Sequence, residues 1–194
     1  MGTPEGKIIM VDPDQASAAL SDIKLMVERV RQSRIYELAS QFMVVAGLFV
    51  VAGNLATYVE PRHARYVWPA VNVLTVAVSA VISIYDQRRT GMRSFDFKVL
   101  LALVLFYGFG LLCTVILGHY GSREIGTFWP IYFMLFYCIA GLWFGRAFIA
   151  IGLSIALLTL VGYFFITGSA FLLWMATVNG GGLVVSGLWM RWGE

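Results

Sequence analysis

The stretch FIAIGLSIALLTLVGYFFI, residues 148–166, decides what kind of fold this chain can adopt. From Phe148 to Ile166 there is no charged residue and no proline. About 20 mainly apolar residues is the length at which an α-helix crosses the hydrocarbon of a bilayer. Outward from this stretch the same kind of run recurs at Ala39 to Tyr58, Val67 to Tyr85, Val99 to Leu117, Phe128 to Phe144 and Ala170 to Met190. The whole chain is 59% hydrophobic and only 13% charged, whereas soluble domains carry roughly a quarter charged residues. Lipid is therefore the solvent to reason in. The expected fold is all-α: a polytopic membrane helix bundle of six transmembrane helices preceded by a cytosolic amphipathic helix. Residues 1–38 form the cytosolic N-terminal segment and residues 39–194 the transmembrane domain.

The lead-in segment is not expected to be a signal peptide, because Asp12, Asp14, Asp22, Glu28 and Glu37 interrupt any apolar core of that kind. Asp12-Pro13-Asp14-Gln15 reads as a helix start, with Asp12 as N-cap, Pro13 at the first helical position and Gln15 placed to close a capping box. No glycine or proline follows until Gly47, so one long helix should run from the cytosol into the first span. Leu20, Ile23, Val27 and Val30 share one face of it, while Asp22, Lys24, Glu28, Arg29 and Arg31 occupy the others. Three covers fit that apolar face: the membrane surface, the same helix in a second subunit of a homo-oligomer, or a cytosolic protein partner. Arg29, Arg31 and Arg34 favour the surface, since a basic residue near anionic lipid gains on the order of 1 kcal/mol.

The net charge of +3 is not a nucleic-acid footprint, because the basic residues gather at span ends, where they set topology. On one side lie Lys7, Lys24, Arg29, Arg31 and Arg34 before the first span, Arg88, Arg89, Arg93 and Lys98 after the second, Arg146 after the fourth and Arg191 after the sixth. The other side holds Arg62, Arg65 and Arg123, a division of eleven against three among the fourteen Lys and Arg. The expected location is the bacterial inner membrane with both termini cytoplasmic. Trp68, Trp129 and Trp174 then mark the outer interface, and Trp143, Trp189 and Trp192 the inner one.

Helices in lipid associate through close backbone approach, which small residues spaced by four permit. The candidates are Ala52 with Ala56, Gly141 with Gly145, and Gly182 with Ser186, all expected to face protein. An amide left unpaired in hydrocarbon costs several kcal/mol, so Asn54, Asn72 and Asn179 must find partners. Interhelical bonding is one use. Lining a polar cavity for a neutral ligand, together with Tyr107 and Tyr137, is the other.

Signatures of chemistry are missing. No Ser-His-Asp set, HExxH, P-loop or intramembrane carboxylate pair occurs, and proton relays generally need an ionisable group within the membrane. His63 and His119 fall at loop positions, not within the bundle where a haem would need its ligands. Cys113 and Cys138 lack the spacing of a metal knuckle or redox pair. Neither a cofactor nor a metal is expected. Asp86 and Asp96, flanking Arg88, Arg89 and Arg93, should form local ion pairs in a solvated loop.

The stretch Asp22-Ile23-Lys24-Leu25-Met26-Val27-Glu28-Arg29, followed by Ser33-Arg34 and a first span with Ala46-Gly47, resembles a family of uncharacterised bacterial six-span membrane proteins. Its members begin with an isoleucine-arginine-x-methionine-x-glutamate-arginine-serine-like helix. Lys24 stands where that pattern has arginine, and Val30 where its serine follows. The likeness extends to Phe95 through Lys98, to Pro130 through Tyr137 and to the glycine-rich last span. The resemblance implies a six-span fold and, in some genomes, a neighbouring winged-helix transcription regulator. Two functions follow as expectations. The first is a non-enzymatic sensor, regulator or scaffold working through residues 13–38. The second is a small-solute transport component, similar in size and span count to substrate-binding subunits of vitamin importers of the energy-coupling-factor type.

Overall fold

The computed structural model describes residues 13–90, 97–116 and 121–192. Helix α1 runs unbroken from Pro13 to Val59, 47 residues, or about 70 Å at 1.5 Å per residue. It begins at the proline, whose missing N–H costs nothing in a first turn; the expected cap Asp12 lies outside the described residues. A 3-10 turn at Pro61–His63 leads into α2, Ala64–Thr90. Helix α3 spans Phe97–Ile116, α4 Ser122–Phe144 and α5 Arg146–Phe165. The last apolar stretch is built from α6 (Ala170–Met175), a π-helical segment (Ala176–Gly181) and α7 (Gly182–Trp192). No strand occurs among the described residues.

Five of these stretches are long and apolar enough to cross a membrane: Leu20–Val59, Pro61–Arg89, Ser122–Phe144, Arg146–Phe165 and Ala170–Trp192. The apolar part of α3 described, Leu101–Ile116, is shorter. Helix α4 begins at Ser122 and not Phe128 because Ser122, Arg123 and Glu124 supply a polar first turn before the apolar run. The outer faces are themselves apolar, with Val115, Phe164 and Phe165 among the most exposed side chains. Soluble monomers do not carry contiguous apolar surfaces of this size.

Helix α1 packs on α2 along one side and on the last stretch along another. Helix α4 pairs with α5, and α5 in turn meets α6, the π segment and α7. Met43, Met134, Phe148, Ile151, Ile155, Val178, Leu183 and Met190 form the core where α1, α4, α5 and the last stretch converge.

The closest crossing joins α1 to the last stretch. A Cβ on Gly47 would lie 2.6 Å from the Gly180 carbonyl oxygen, and one on Gly180 would lie 2.5 Å from Val51 Cγ2. Two turns further on, Ser40 Oγ donates to the Gly187 carbonyl at 2.6 Å. Position 40 meets 187 and 47 meets 180, so the two run antiparallel. The small residues in contact recur every seven positions, the repeat that keeps one seam facing a partner around a left-handed crossing. The pairs spaced by four behave differently. Ala52 and Ala56 are exposed on the face of α1 turned away from this crossing. Gly182 and Ser186 are half-buried beside the true contacts Gly180 and Gly187, and a Cβ on Gly182 would meet only the Ile155 side chain, at 3.3 Å.

Gly141 does lie at a helix contact, since its Cβ would come within 2.8 Å of the Ile149 nitrogen on α5. Gly145 serves first as a turn. It is the one residue between α4 and α5, with φ of 132°, a conformation that only glycine adopts readily. Gly152 completes this hairpin against Cys138 and the Met134 carbonyl. Helix α3 is held differently, by aromatic rings. Phe106 stacks on Tyr132 with centroids 4.4 Å apart, Tyr132 Oη donates to the Phe106 carbonyl at 3.0 Å, and Trp129 lies over Gly110. Trp129 and Trp174 thus serve helix contacts: the latter donates from Nε1 to the Leu158 carbonyl at 2.9 Å and lies against Gly162. Trp143, Trp189 and Trp192 are exposed.

At the end remote from Trp192, Arg123 of α4 donates from Nη2 to the carbonyls of Tyr163 and of Ile166, the latter at 2.6 Å. Its guanidinium lies over the rings of Tyr163 and Phe171. An arginine here ties α4 to α6 and supplies charge-assisted bonds to the carbonyls that α5 leaves free at its C-terminus.

The geometry of the α1 crossing makes Gly180→Ala costly, by about 1–3 kcal/mol for an overpacked contact against backbone. Thermal unfolding in detergent should show a lowered midpoint for Gly180→Ala, a smaller drop for Gly182→Ala, and none for Gly108→Ala, whose Cβ would meet nothing within 4 Å. Equal midpoints for all three would show that the crossing is not close.

Candidate functional site

Two parts of the molecule carry features beyond packing. The first is the N-terminal part of α1. Leu20, Ile23, Val27 and Val30 are 56–70% exposed, and Leu25 and Met26 beside them are exposed too. No side chain described between Leu20 and Val30 is buried. Among the described residues nothing buries the apolar face of this part of α1.

Contact with the bundle begins one turn later, before the expected boundary at residue 38. Arg34 Nη2 pairs with Asp86 Oδ2 on α2 at 3.0 Å, both side chains about a quarter exposed or less. Asp86 is thus not tied only to loop arginines, and Arg34 is not simply directed to lipid; Arg93 and Asp96 lie outside the described residues. The half-buried pair joins α1 to α2 where α1 leaves the bundle. Tyr36 packs on Phe148, with ring centroids 5.7 Å apart, and accepts from Gln32 Nε2 at 3.3 Å. Between Gln32 and Ile35 of α1 and residues Gly141 to Arg146 lies an open cleft of about 650 Å³. Gly145 is required here a second time, because a side chain would collide with the Tyr36 hydroxyl.

The second part is the π segment. A π turn inserts an extra residue into a helix, an arrangement frequent at functional sites. Asn179 within it is buried, as is Thr159 on α5, whose single hydroxyl proton is shared between the Ile155 carbonyl at 2.7 Å and Asn179 Oδ1 at 3.2 Å. The amide nitrogen of Asn179 reaches only the Met175 thioether, at 3.4 Å. Thioether sulfur is a weak acceptor, so the amide nitrogen of this buried asparagine is poorly matched.

The remaining polar candidates are dispersed. Asn54 is buried and donates to the Val50 carbonyl on its own helix at 2.9 Å. Asn72 donates to the Trp68 carbonyl at 2.9 Å and accepts from Tyr107 Oη at 3.1 Å, which joins α2 to α3. Tyr137 is partly buried and packs against the hydrophobic core. Of the five expected ligand residues Asn72 and Tyr107 are thus bonded to each other, while Asn54 bonds its own helix and Asn179 bonds Thr159 and Met175. What sequence reasoning missed is Thr159, whose partner is visible only once α5 and the π segment are in contact.

His63 is exposed in the 3-10 turn, and His119 lies outside the described residues. Among the described residues no three His, Cys, Asp or Glu come together in a way that holds a metal. Cys113 and Cys138 are free and half-buried.

The bond between Thr159 and Asn179 should contribute about 1 kcal/mol, as interhelical hydrogen bonds in bilayers do. A double-mutant cycle with Thr159→Val and Asn179→Ala, read by unfolding in detergent, measures it; zero coupling would mean that the two side chains act independently. Compared with protein-family models, curated proteins and solved structures, the chain matches none of them.

Proposed function

We propose that this chain is a non-enzymatic, six-span protein of the bacterial inner membrane, with both termini cytoplasmic, acting as a sensor, regulator or scaffold through its N-terminal helix. The observation that carries the reading is the continuity of α1. One helix contains the exposed face Leu20, Ile23, Val27 and Val30 and, without a break, the residues Ser40, Met43, Gly47 and Asn54 buried in the bundle. A helix held that way transmits a tilt or rotation of its packed half to its free half, because between Pro13 and Gly47 it contains no glycine or proline at which to kink. The unequal distribution of Lys and Arg supports the cytoplasmic side for the free half. The family resemblance, with a winged-helix regulator as a neighbour in some genomes, fits a role in signalling and offers one cytosolic protein for the helix to meet.

The test is a truncation that stops short of the contacts at Gln32 and Arg34. Deletion of residues 1–30 should leave the protein inserted at its usual level and with its usual unfolding midpoint. In the native host it should also reproduce the transcript profile of a complete deletion. A truncated strain indistinguishable from wild type would overturn the reading.

A second reading, a transport component for a neutral solute, is favoured by the poorly matched amide of Asn179 in the π segment. Native mass spectrometry of gently extracted protein should then show a retained small molecule that Asn179→Ala loses. A ligand-free spectrum for the wild type would count against it.

A further inference from the structure

We propose that the cleft between α1 and the α4–α5 turn binds the headgroup of an anionic phospholipid from the inner leaflet; this rests on the reading that the bundle spans the membrane with that end at the cytoplasmic face. The cleft, about 650 Å³, has two walls. One is Gln32 and Ile35 of α1, and the other is the end of α4 with Gly145 and Arg146. Its volume is that of a small-molecule site, about 300–1,000 Å³. Its depth in the membrane is marked by indole rings. Trp143 in the cleft wall, and Trp189 and Trp192 at the same end of the bundle, are 57–79% exposed. Such rings settle where hydrocarbon gives way to headgroups.

The lining selects the ligand. Arg146 is exposed and makes no ion pair among the described residues. It is also the first residue of α5, where the helix dipole adds partial positive charge. A first turn is usually balanced by Asp, Glu or a capping side chain. This one has no acidic residue, and its cap is Gly145, which has no side chain to offer. Positive charge thus gathers at one rim of the cleft without a balancing carboxylate among the described residues. A phosphate balances it by accepting charge-assisted bonds from the guanidinium fork. Across the cleft, Gln32 gives one amide hydrogen to Tyr36 Oη at 3.3 Å, and its carbonyl oxygen and second N–H suit the hydroxyl and ester oxygens of a glycerol moiety. Leu142, 71% exposed, and Trp143 supply apolar surface for the start of an acyl chain. A free anion has no use for Leu142 and Trp143, and a neutral solute has none for Arg146. An anionic phospholipid uses both.

A lipid held there acts on α1. Arg34 ties this part of α1 to α2 through Asp86 at 3.0 Å. A headgroup held between Gln32 and Arg146 ties the same turn of α1 to the α4–α5 turn, where the chain itself supplies only the packing of Tyr36 on Phe148 and against Gly145. Occupancy of the cleft, and so the content of anionic lipid, sets how firmly α1 is seated just where its exposed apolar face begins. The proposed sensor then has a ligand class: the phosphate of a membrane lipid.

Native mass spectrometry of the full chain tests this, after delipidation in mild detergent and titration with phosphatidylglycerol or with phosphatidylcholine of the same acyl chains. The wild type should take up one phosphatidylglycerol about tenfold more tightly than phosphatidylcholine, the effect of one charge-assisted contact. Arg146→Gln should erase that preference, and Gln32→Ala should weaken phosphatidylglycerol about threefold. Arg88→Gln, at an exposed arginine at the same end of α2, is the control and should change neither affinity. All three side chains are exposed, so the unfolding midpoints should stay in place. Water-soluble glycerol phosphate should not displace the lipid. Equal affinity of the wild type for the two lipids, equal losses in Arg146→Gln and Arg88→Gln, or displacement by glycerol phosphate overturns the proposal. The wider reading survives each of these results if residues 1–30 are still required in the native host, because that truncation keeps Gln32 and Arg146.

Discussion

The rest of the bundle depends on how closely α1 approaches the last stretch of the chain. In hydrocarbon the side chains of two helices gain little by leaving lipid, so association rests on van der Waals contact and on hydrogen bonds that lipid cannot offer. Gly47 against Gly180 lets two backbones meet with no Cβ between them, and Ser40 bonded to the Gly187 carbonyl fixes the register one heptad away. These contacts join the first and last helices of the chain, which closes the bundle around Met43, Val178 and Leu183 and gives α5 a surface to pack on. The α4–α5 hairpin uses the same device at Gly141 and Gly152. Helix α3, without such a glycine crossing at its centre, relies on stacked rings and on the bond from Tyr107 to Asn72.

That crossing also bears on function. Because α1 is clamped by glycine contacts on one side and by Arg34 to Asp86 on another, its free half inherits the orientation of its packed half. The π segment lies against the same crossing. Gly180 belongs both to the contact with α1 and to the segment that carries Asn179, so a change in the pitch of that segment would be felt directly by α1. The polar centre at Asn179 and the projecting helix are thus two ends of one packed unit. A ligand or a lateral force acting on the first would have a physical route to the second, provided that the packing has two arrangements.

Much of the fold was legible in the amino-acid order because lipid imposes a length. Residues 148–166 had to be a helix of membrane-crossing size, and α5 at Arg146–Phe165 agrees with it nearly to the residue. The long α1 was legible for a similarly local reason: between Pro13 and Gly47 nothing interrupts helical hydrogen bonding. The site was less legible. Asn54, Asn72 and Asn179 stood out as amides in apolar runs, but each bonds within its own helix or to one neighbour, and no rule of spacing reveals which.

The sequence by itself determined the all-α class, the extent of α5 and the apolar face before Gln32, since each follows from local composition and the 3.6-residue period. Tertiary structure alone decided which small residues are contacts. Ala52 and Ala56 carry the same spacing as many true packing pairs, yet they lie exposed, while Gly47, Gly180 and Gly187 make the crossing. The π turn at Ala176–Gly181 was equally invisible in the sequence. The physical reason is common to both. Whether a backbone tolerates an extra residue, or a glycine is needed for close approach, depends on the helix opposite, and a one-dimensional pattern contains no record of which helix that is.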